Sequence, residues 1–107
     1  MINQDQEIGQ HQRDAVADIC TMIRARGLHI NQPRKAVIRA LVGQKQAVTA
    51  EALWINIRLT YRISISAVYN NLNLLVKEGV AEKMVNEGTK STYRIKPDFT
   101  IHGPQSS

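Results

Sequence analysis

The chain has 107 residues, which is enough for one domain with a modest core and too few for two full domains. Because Cys20 is the single cysteine, an intramolecular disulfide is excluded. The sequence shows neither a secretory leader nor a run of about 18 apolar residues, so we expect a cytoplasmic protein. The formal net charge is +5, and residues 24–62 hold eight basic side chains against one acid, Glu51, which favours a polyanionic partner over ordinary solubility charge.

The first part of the chain predicts a polar arm followed by two helices. Residues 1–12 are weakly patterned and indicate a flexible arm or a frayed helix start. From Asp14 to a glycine stop at Gly27, apolar residues recur at helical spacing and predict helix 1, with the buried stripe Val16, Ile19, Cys20 and Ile23. Asn31 can cap helix 2, which ends before Gly43 and has the buried stripe Val37, Ile38, Leu41 and Val42.

Two further helices are predicted in the middle of the chain. Thr49 can cap helix 3 and Glu51 suits its positive first turn, while Leu53, Trp54 and Ile57 face inward. Ser64 begins helix 4, which runs to about residue 78 before Gly79 and has the apolar residues Ile65, Val68, Leu72 and Leu75.

The pattern after Gly79 changes to that of a β-hairpin. Residues 80–86 and 91–96 contain β-branched and aromatic side chains on either side of a glycine-containing turn at 87–90. Pro97 closes the second strand, and residues 98–107 form a polar tail that we expect to be flexible. Residues 13–97 therefore predict a mainly α fold with a small β-hairpin, the winged helix-turn-helix, in which three to four helices precede a two-stranded wing.

The outer face of helix 4 has the residue types that read DNA bases. On a helical wheel it opposes the stripe centred between Val68 and Leu72, and it includes Leu74, which we expect to be exposed. Asn pairs with adenine, Ser with several base edges, and Ala contacts a thymine methyl. A solvated surface is the alternative, but such a surface would usually carry several Glu and Lys. The predicted base-reading residues are Ser66, Ala67, Tyr69, Asn70 and Asn73.

Basic and polar residues around helices 2 and 4 and the wing are candidates for contacts with phosphates. Helix N-termini and cationic loop tips are common positions for such contacts, although each residue could equally be ordinary surface charge. Tyr69 could also reach a phosphate with its hydroxyl. The predicted backbone-contacting residues are Arg26, His29, Arg34, Lys35, Ser64, Lys77 and Lys90.

Catalytic and metal-binding constellations are not predicted. His11, His29 and His102 fall in separate segments, and no nucleophile or paired carboxylate accompanies them in a recognised motif. With Cys20 as the one cysteine, neither a C-x-x-C pair nor a clustered histidine set is present. We therefore expect neither an enzyme nor a bound cofactor.

Residues 63–73, ISISAVYNNLN, resemble the recognition-helix motif of the ferric uptake regulator family, with the core Val68-Tyr69-x-x-Leu72-Asn73. The resemblance covers roughly residues 24–96 and includes the segments 26–28, 33–34, 49–53, 78–80 and 87–91. It implies DNA binding, base contacts by Tyr69, a main reading role for Asn70, and positions near the DNA backbone for His29 and Arg34.

Two departures from that family affect the expected function. The family usually has Thr and Arg where this chain has Ala67 and Asn70, so the preferred operator should differ. The family continues into a metal-sensing dimerisation domain rich in His and Cys, whereas this chain ends, so we do not carry over metal-dependent regulation or the family's mode of dimerisation.

Three functional hypotheses follow from the sequence. The first is a sequence-specific transcription regulator, more specifically a repressor, that binds double-stranded DNA and pairs through helix 1 or the N-terminal arm. The second is a protein-interaction module that binds another regulator or a toxin, with DNA contact secondary. RNA binding is the weakest of the three because the strands lack paired aromatic residues.

Overall fold

The computed structural model describes the backbone of residues 4–97 and the side chains of residues 12–97. The predicted tail, residues 98–107, lies outside the described residues. Four helices and three short strands follow one another, which confirms the predicted mainly α winged fold. The elements are α1 Gln4–Ala25, α2 Gln32–Val42, β1 Val48–Thr49, α3 Ala50–Arg58, α4 Ile65–Lys77, β2 Ala81–Met84 and β3 Thr92–Ile95.

Three helices begin at the predicted cap residues. The side-chain oxygens of Asn31, Thr49 and Ser64 each accept a hydrogen bond from the backbone N–H three residues later, at 2.9–3.1 Å. Each bond satisfies one of the N–H groups that have no partner within the helix. These short-range signals place the start of α2, α3 and α4 correctly.

Two glycines end helices in the left-handed conformation that was expected of them. Gly27 follows α1 with φ of +83°, and Gly79 follows α4 with φ of +81°. Beyond each, a backbone N–H returns to a carbonyl of the last turn, from Leu28 to Ile23 at 3.2 Å and from Val80 to Leu75 at 2.9 Å. A side chain would strain either glycine position, so both chain reversals depend on glycine.

Helix α1 is longer than the apolar pattern predicted. It begins at Gln4 rather than Asp14, so the backbone of residues 4–12 agrees with the helix start and not with the flexible arm, the two alternatives for this segment. The polar composition of this first part gave no buried stripe from which its start could be predicted. The predicted stripe of α1 is buried in the core of its own domain: Val16, Ile19, Cys20 and Ile23.

The wing belongs to a three-stranded antiparallel sheet in the order β1-β3-β2, so the two-stranded prediction missed one strand. Val48 of β1 lies opposite Tyr93 of β3, and Glu82 of β2 lies opposite Arg94, with which it forms an ion pair at 2.5 Å. Strands β2 and β3 are shorter than predicted, and Gly88, with φ of +77°, lies in the loop between them.

Side chains from all four helices and from the sheet form one core. Its largest fully buried members are Ile19, Ile23, Ile38, Leu41, Leu53, Leu72 and Leu75. Trp54, predicted to face inward, is half-buried and donates its indole N–H to the carbonyl of Ile63 at 2.8 Å. None of the described helices has the length and apolar character needed to cross a membrane.

Candidate nucleic-acid interface

The exposed face of α4 is a continuous polar stripe. Ser66, Asn70, Asn73 and Lys77 are exposed at spacings of three and four residues, so they follow one side of the helix. Helix α4 contains no carboxylate. The stripe thus offers hydroxyl and amide groups that both donate and accept hydrogen bonds, ending in one cation.

The two edges of this stripe differ from the sequence expectation. Ala67 and Leu74 are half-buried on one edge, and Ala67 packs against the core. The expectation that Leu74 is exposed was therefore wrong, because the buried arc of α4 extends to Asn71 and leaves less of the helix open than the wheel suggested. Tyr69 is half-buried on the other edge and also packs against the core.

The hydroxyl of Tyr69 is already occupied within the protein. It donates to Oε2 of Glu51 at 2.6 Å, and Lys90 of the wing loop places its Nζ 3.3 Å from the same oxygen. The hydrogen bond from the Tyr69 hydroxyl is the main reason that the pKa of the Glu51 carboxyl lies below its usual value. The same hydrogen bond raises the pKa of Tyr69. Oε1 of Glu51 is buried without a hydrogen-bond partner.

Arg34 connects α2 to α4. Its Nε donates to Oδ1 of Asn71 at 2.8 Å, and its Nη1 donates to the carbonyl of His29 at 2.5 Å. Asn71 donates its own Nδ2 to the carbonyl of Ala67 at 2.8 Å. Among the side chains of residues 12–97, Asn71 is the only buried polar one. The guanidinium of Arg34 is therefore held at a fixed place beside the start of α2, while the imidazole of His29 is exposed.

The other predicted backbone-contacting residues have different surroundings. Arg26 forms an ion pair with Glu78 at 2.7 Å, which joins the end of α1 to the end of α4. Ser64 uses its hydroxyl as the cap of α4. Within the described part of the chain, neither Lys35, which is half-buried, nor Lys77, which is exposed, has an ion pair or a side-chain hydrogen bond, so neither would have to leave a protein partner to meet a phosphate.

Sequence reasoning missed the two residues that connect the helices of this surface. Asn71 falls inside the buried arc of α4, so its wheel position was a usable signal, although the partner on α2 was not predictable. Glu51 was interpreted only as a favourable charge in the first turn of α3. Its contacts lie 18 and 39 positions away in the chain, and no local pattern indicates them.

A family model described as "Ferric uptake regulator family" matches residues 25–103, which is more than half of the chain. The chain belongs to the ferric uptake regulator family. The match includes α2, α3, α4 and the sheet, and this family is one of DNA-binding transcription regulators. Among curated proteins, no match to the chain was found.

Several solved structures share this fold. The ferric uptake regulator of Vibrio cholerae is 26% identical with a TM-score of 0.65, the match covering 75% of this chain and 63% of that one. The regulator of Helicobacter pylori is 25% identical with a TM-score of 0.68, covering 78% and 57%. The PerR regulator of Streptococcus pyogenes is similar in fold, with 24% identity and a TM-score of 0.71. That match covers 77% of this chain and 57% of the other. The chain thus spans little more than half of the regulators it matches.

Metal ligands are not grouped in the described part of this chain. The Helicobacter pylori regulator, by contrast, has three functional metal-binding sites. In the described residues of this chain, no three His, Cys, Asp or Glu side chains form a group that could hold a metal ion. Cys20 is buried in the core between apolar neighbours. These residues do not fit a metal site, and His11 and His102 lie outside the described side chains.

Proposed function

We propose that the winged-helix domain of residues 13–97 binds double-stranded DNA sequence-specifically and acts as a transcription regulator, more specifically a repressor. The observation that carries the proposal is the polar stripe of α4, defined by Ser66, Asn70, Asn73 and Lys77, which is exposed and free of carboxylates. Membership of a family of DNA-binding regulators supports it, as does the excess of basic residues. The proposed activity is binding rather than catalysis.

Helix α4 has the chemistry needed to read a major groove. The groove of B-DNA is about 12 Å wide and admits one α-helix. Asn70 and Asn73 can each pair with N6 and N7 of an adenine, and Ser66 can pair with several bases. Asn is also a poor helix former, so three of them in thirteen residues are unfavourable for the helix and indicate a use beyond helix stability. Ala67 and Tyr69, at the edges of the stripe, would make apolar contacts with thymine methyls.

The cations around α4 would contact the DNA backbone in two ways. Lys35 and Lys77 are unpaired in the described structure and can take a phosphate directly. Arg26 and Lys90, whose own side chains are 48% and 68% exposed, would first exchange a carboxylate for a phosphate. Arg34, held by Asn71, presents its remaining N–H groups beside the N-terminus of α2. His29, which precedes α2, and Ser64, at the N-terminus of α4, would also face the backbone.

A regulator of this size needs a second copy or a partner for useful specificity. One module of this kind buries about 600–1,000 Å² on DNA, which is small for a specific complex. We propose a homodimer that forms through α1 or the N-terminal residues. Because the apolar stripe of α1 is buried in its own core, such a dimer would use the opposite face of α1, which includes Asp14, Asp18 and Thr21.

An interaction with another protein is the second candidate function. Ile55 on α3 and Leu59, the residue just after the end of that helix, are four positions apart with 58% and 78% of their surface exposed, so they offer an apolar site that a partner regulator could cover. This function does not need the α4 stripe. An apolar interface should also tolerate salt, whereas DNA binding through phosphates weakens steeply with salt because counterions are released.

Selection from a pool of random double-stranded DNA, followed by titration at several salt concentrations, tests the proposal. We expect one enriched motif, a preference of at least about a thousandfold over scrambled DNA, and a strong fall of affinity with salt. The double variant Asn70→Ala and Asn73→Ala should lose the preference. Asn56→Ala, which makes the same deletion on the exposed surface of α3, is the matched control and should keep it.

Two outcomes would contradict the proposed function. One is equal affinity for the selected and scrambled DNA. The other is retention of the preference in the Asn70 and Asn73 double variant, or an equal loss of it in the Asn56 control. A protein partner that binds wild type but not an Ile55→Ser and Leu59→Ser variant, without any specific DNA complex, would instead favour the interaction module.

A further inference from the structure

Glu51 lies where three elements of the candidate interface meet. It belongs to the first turn of α3, and its Oε2 holds the Tyr69 hydroxyl of α4 at 2.6 Å and the Lys90 ammonium of the wing loop at 3.3 Å. Its Oε1 is buried with no partner. A carboxylate repels phosphates, and although it can accept from a cytosine amino group, Oε2 of Glu51 already holds two protein donors and Oε1 is buried. Any effect of Glu51 on DNA binding must therefore come from how it positions Tyr69 and Lys90.

We propose that Glu51 is a positioning residue for base reading, which fixes the ring of Tyr69 so that its edge, rather than its hydroxyl, faces the DNA. The inference rests on the proposed function, since it concerns how the α4 surface reads bases. It assigns to Glu51 an effect on sequence preference that acts through Tyr69 and not through a direct contact with DNA.

Glu51 binds the Tyr69 hydroxyl more strongly than it binds the Lys90 ammonium. The Tyr69 bond is short and charge-assisted, and the ring is half-buried against the core. The Lys90 side chain is 68% exposed, and its longer contact is open to water. An approaching phosphate can therefore take Lys90 away from Glu51 while the Tyr69 hydroxyl stays in place. Backbone contact by the wing and orientation of the ring are then separable.

The orientation of the ring matters because of what a free tyrosine would do at this edge of α4. A hydroxyl without an acceptor in the protein would bond to water or to a phosphate, and the ring would follow it. With the hydroxyl held by Glu51, the carbon edge of the ring is in a fixed place next to the polar stripe. An apolar edge in a fixed place favours a thymine methyl over the polar edges of other bases.

Base preference across a panel of single-base operator variants tests this inference with four proteins: wild type, Glu51→Ala, Tyr69→Phe and the double variant. We expect Glu51→Ala and Tyr69→Phe each to weaken discrimination at the same operator position by about two- to tenfold, the range of one net hydrogen bond. The double variant should lose no more than either single variant, because both remove the same contact. Glu51→Gln keeps an acceptor oxygen and should restore part of the discrimination.

Lys90→Ala separates the role of Tyr69 from that of the wing. It removes the other partner of Glu51, so it should reduce the salt dependence of binding and leave the base preference unchanged. Folding of each variant is checked by circular dichroism and thermal unfolding. If Glu51→Ala does not fold, Glu51→Gln takes its place in the cycle, with a smaller expected loss at the same operator position.

The results distinguish failure of the inference from failure of the proposed function. If wild type shows no base preference, both fall together. If wild type is selective but the effects of Glu51→Ala and Tyr69→Phe add, or concern different operator positions, only the inference is overturned. It is also overturned if Lys90→Ala reproduces the change in base preference, since Glu51 would then act through the wing.

Discussion

Replacing Asn71 by Ala should destabilise the domain, although Asn71 does not belong to its apolar core. The Asn71 side chain is 7% exposed and joins α4 to α2 through Arg34. The substitution removes the acceptor of the Arg34 Nε and the donor to the carbonyl of Ala67, both at 2.8 Å. The guanidinium stays at the same place with one N–H left without its protein partner.

The expected loss of unfolding free energy is about 1–3 kcal/mol. A hydrogen bond to a charged group contributes about 1.5–3 kcal/mol, and the bond to the Ala67 carbonyl adds less because that carbonyl is also positioned to accept within the helix. Ala is a better helix former than Asn by up to about 0.7 kcal/mol, which offsets part of the loss. For a domain of this size, the melting temperature should fall by about 4–8 °C for each kcal/mol.

Urea unfolding of Asn71→Ala and Asn73→Ala provides a matched comparison. Asn73 is exposed on the same helix and has no side-chain hydrogen bond in the described structure, so its substitution changes helix propensity alone. We expect Asn73→Ala to be neutral or stabilising by up to about 0.7 kcal/mol. A double-mutant cycle of Asn71→Ala with Arg34→Met should give a coupling energy of about 0.5–3 kcal/mol.

Two results would refute this reasoning. If Asn71→Ala is as stable as Asn73→Ala, the buried amide contributes nothing that a methyl group does not. If the effects of Asn71→Ala and Arg34→Met add without coupling, the 2.8 Å contact between the two side chains does not contribute to stability.

The remaining predictions concern DNA binding and pH. Asn70→Ala should relax preference at one operator position at a cost of about 1–3 kcal/mol, and unchanged selectivity in competition with single-base variants would remove Asn70 from the reading set. Arg34→Ala and Lys90→Ala should each lower the magnitude of the salt slope by about one, whereas an unchanged slope would mean no phosphate contact by that residue. The Glu51–Tyr69 hydrogen bond contributes fully to the stability of the fold between pH 4.5 and pH 10.0. Below pH 4.5 the contribution is lost as the pH falls through the lowered pKa of Glu51. Above pH 10.0 it is lost as the pH rises through the raised pKa of Tyr69. Tyr69→Phe should therefore differ from wild type in unfolding free energy most within that window, and a difference independent of pH would contradict this. Added Fe²⁺, Mn²⁺ or Zn²⁺ should leave operator affinity at fixed salt unchanged from that in chelator, since residues 12–97 hold no group of three metal ligands; a gain of about tenfold with stoichiometric metal would reveal a site.

The sequence alone determined where α2, α3 and α4 begin and which side of α4 is polar. The caps Asn31, Thr49 and Ser64 and the left-handed glycines act on backbone groups within a few residues, so each carries a signal that can be read locally. The apolar period of α4 identified its buried side and therefore the polar stripe opposite. Caps and periodicity can be predicted without knowing which segments pack against a helix, because they depend on residues within that helix.

Tertiary structure decided the contacts that connect those helices to one another and to the sheet. The pairing of β1 with β3 joins residues more than forty positions apart, and a two-residue strand has no period of its own to be recognised. Arg34 and Asn71, and Glu51 with Tyr69 and Lys90, likewise meet only because the core brings their elements together. The position of Asn71 on the wheel indicates burial, but no local signal names the residue that a polar side chain will meet. Which cations are open to DNA, and how Tyr69 is held, therefore depended on packing that no single segment encodes.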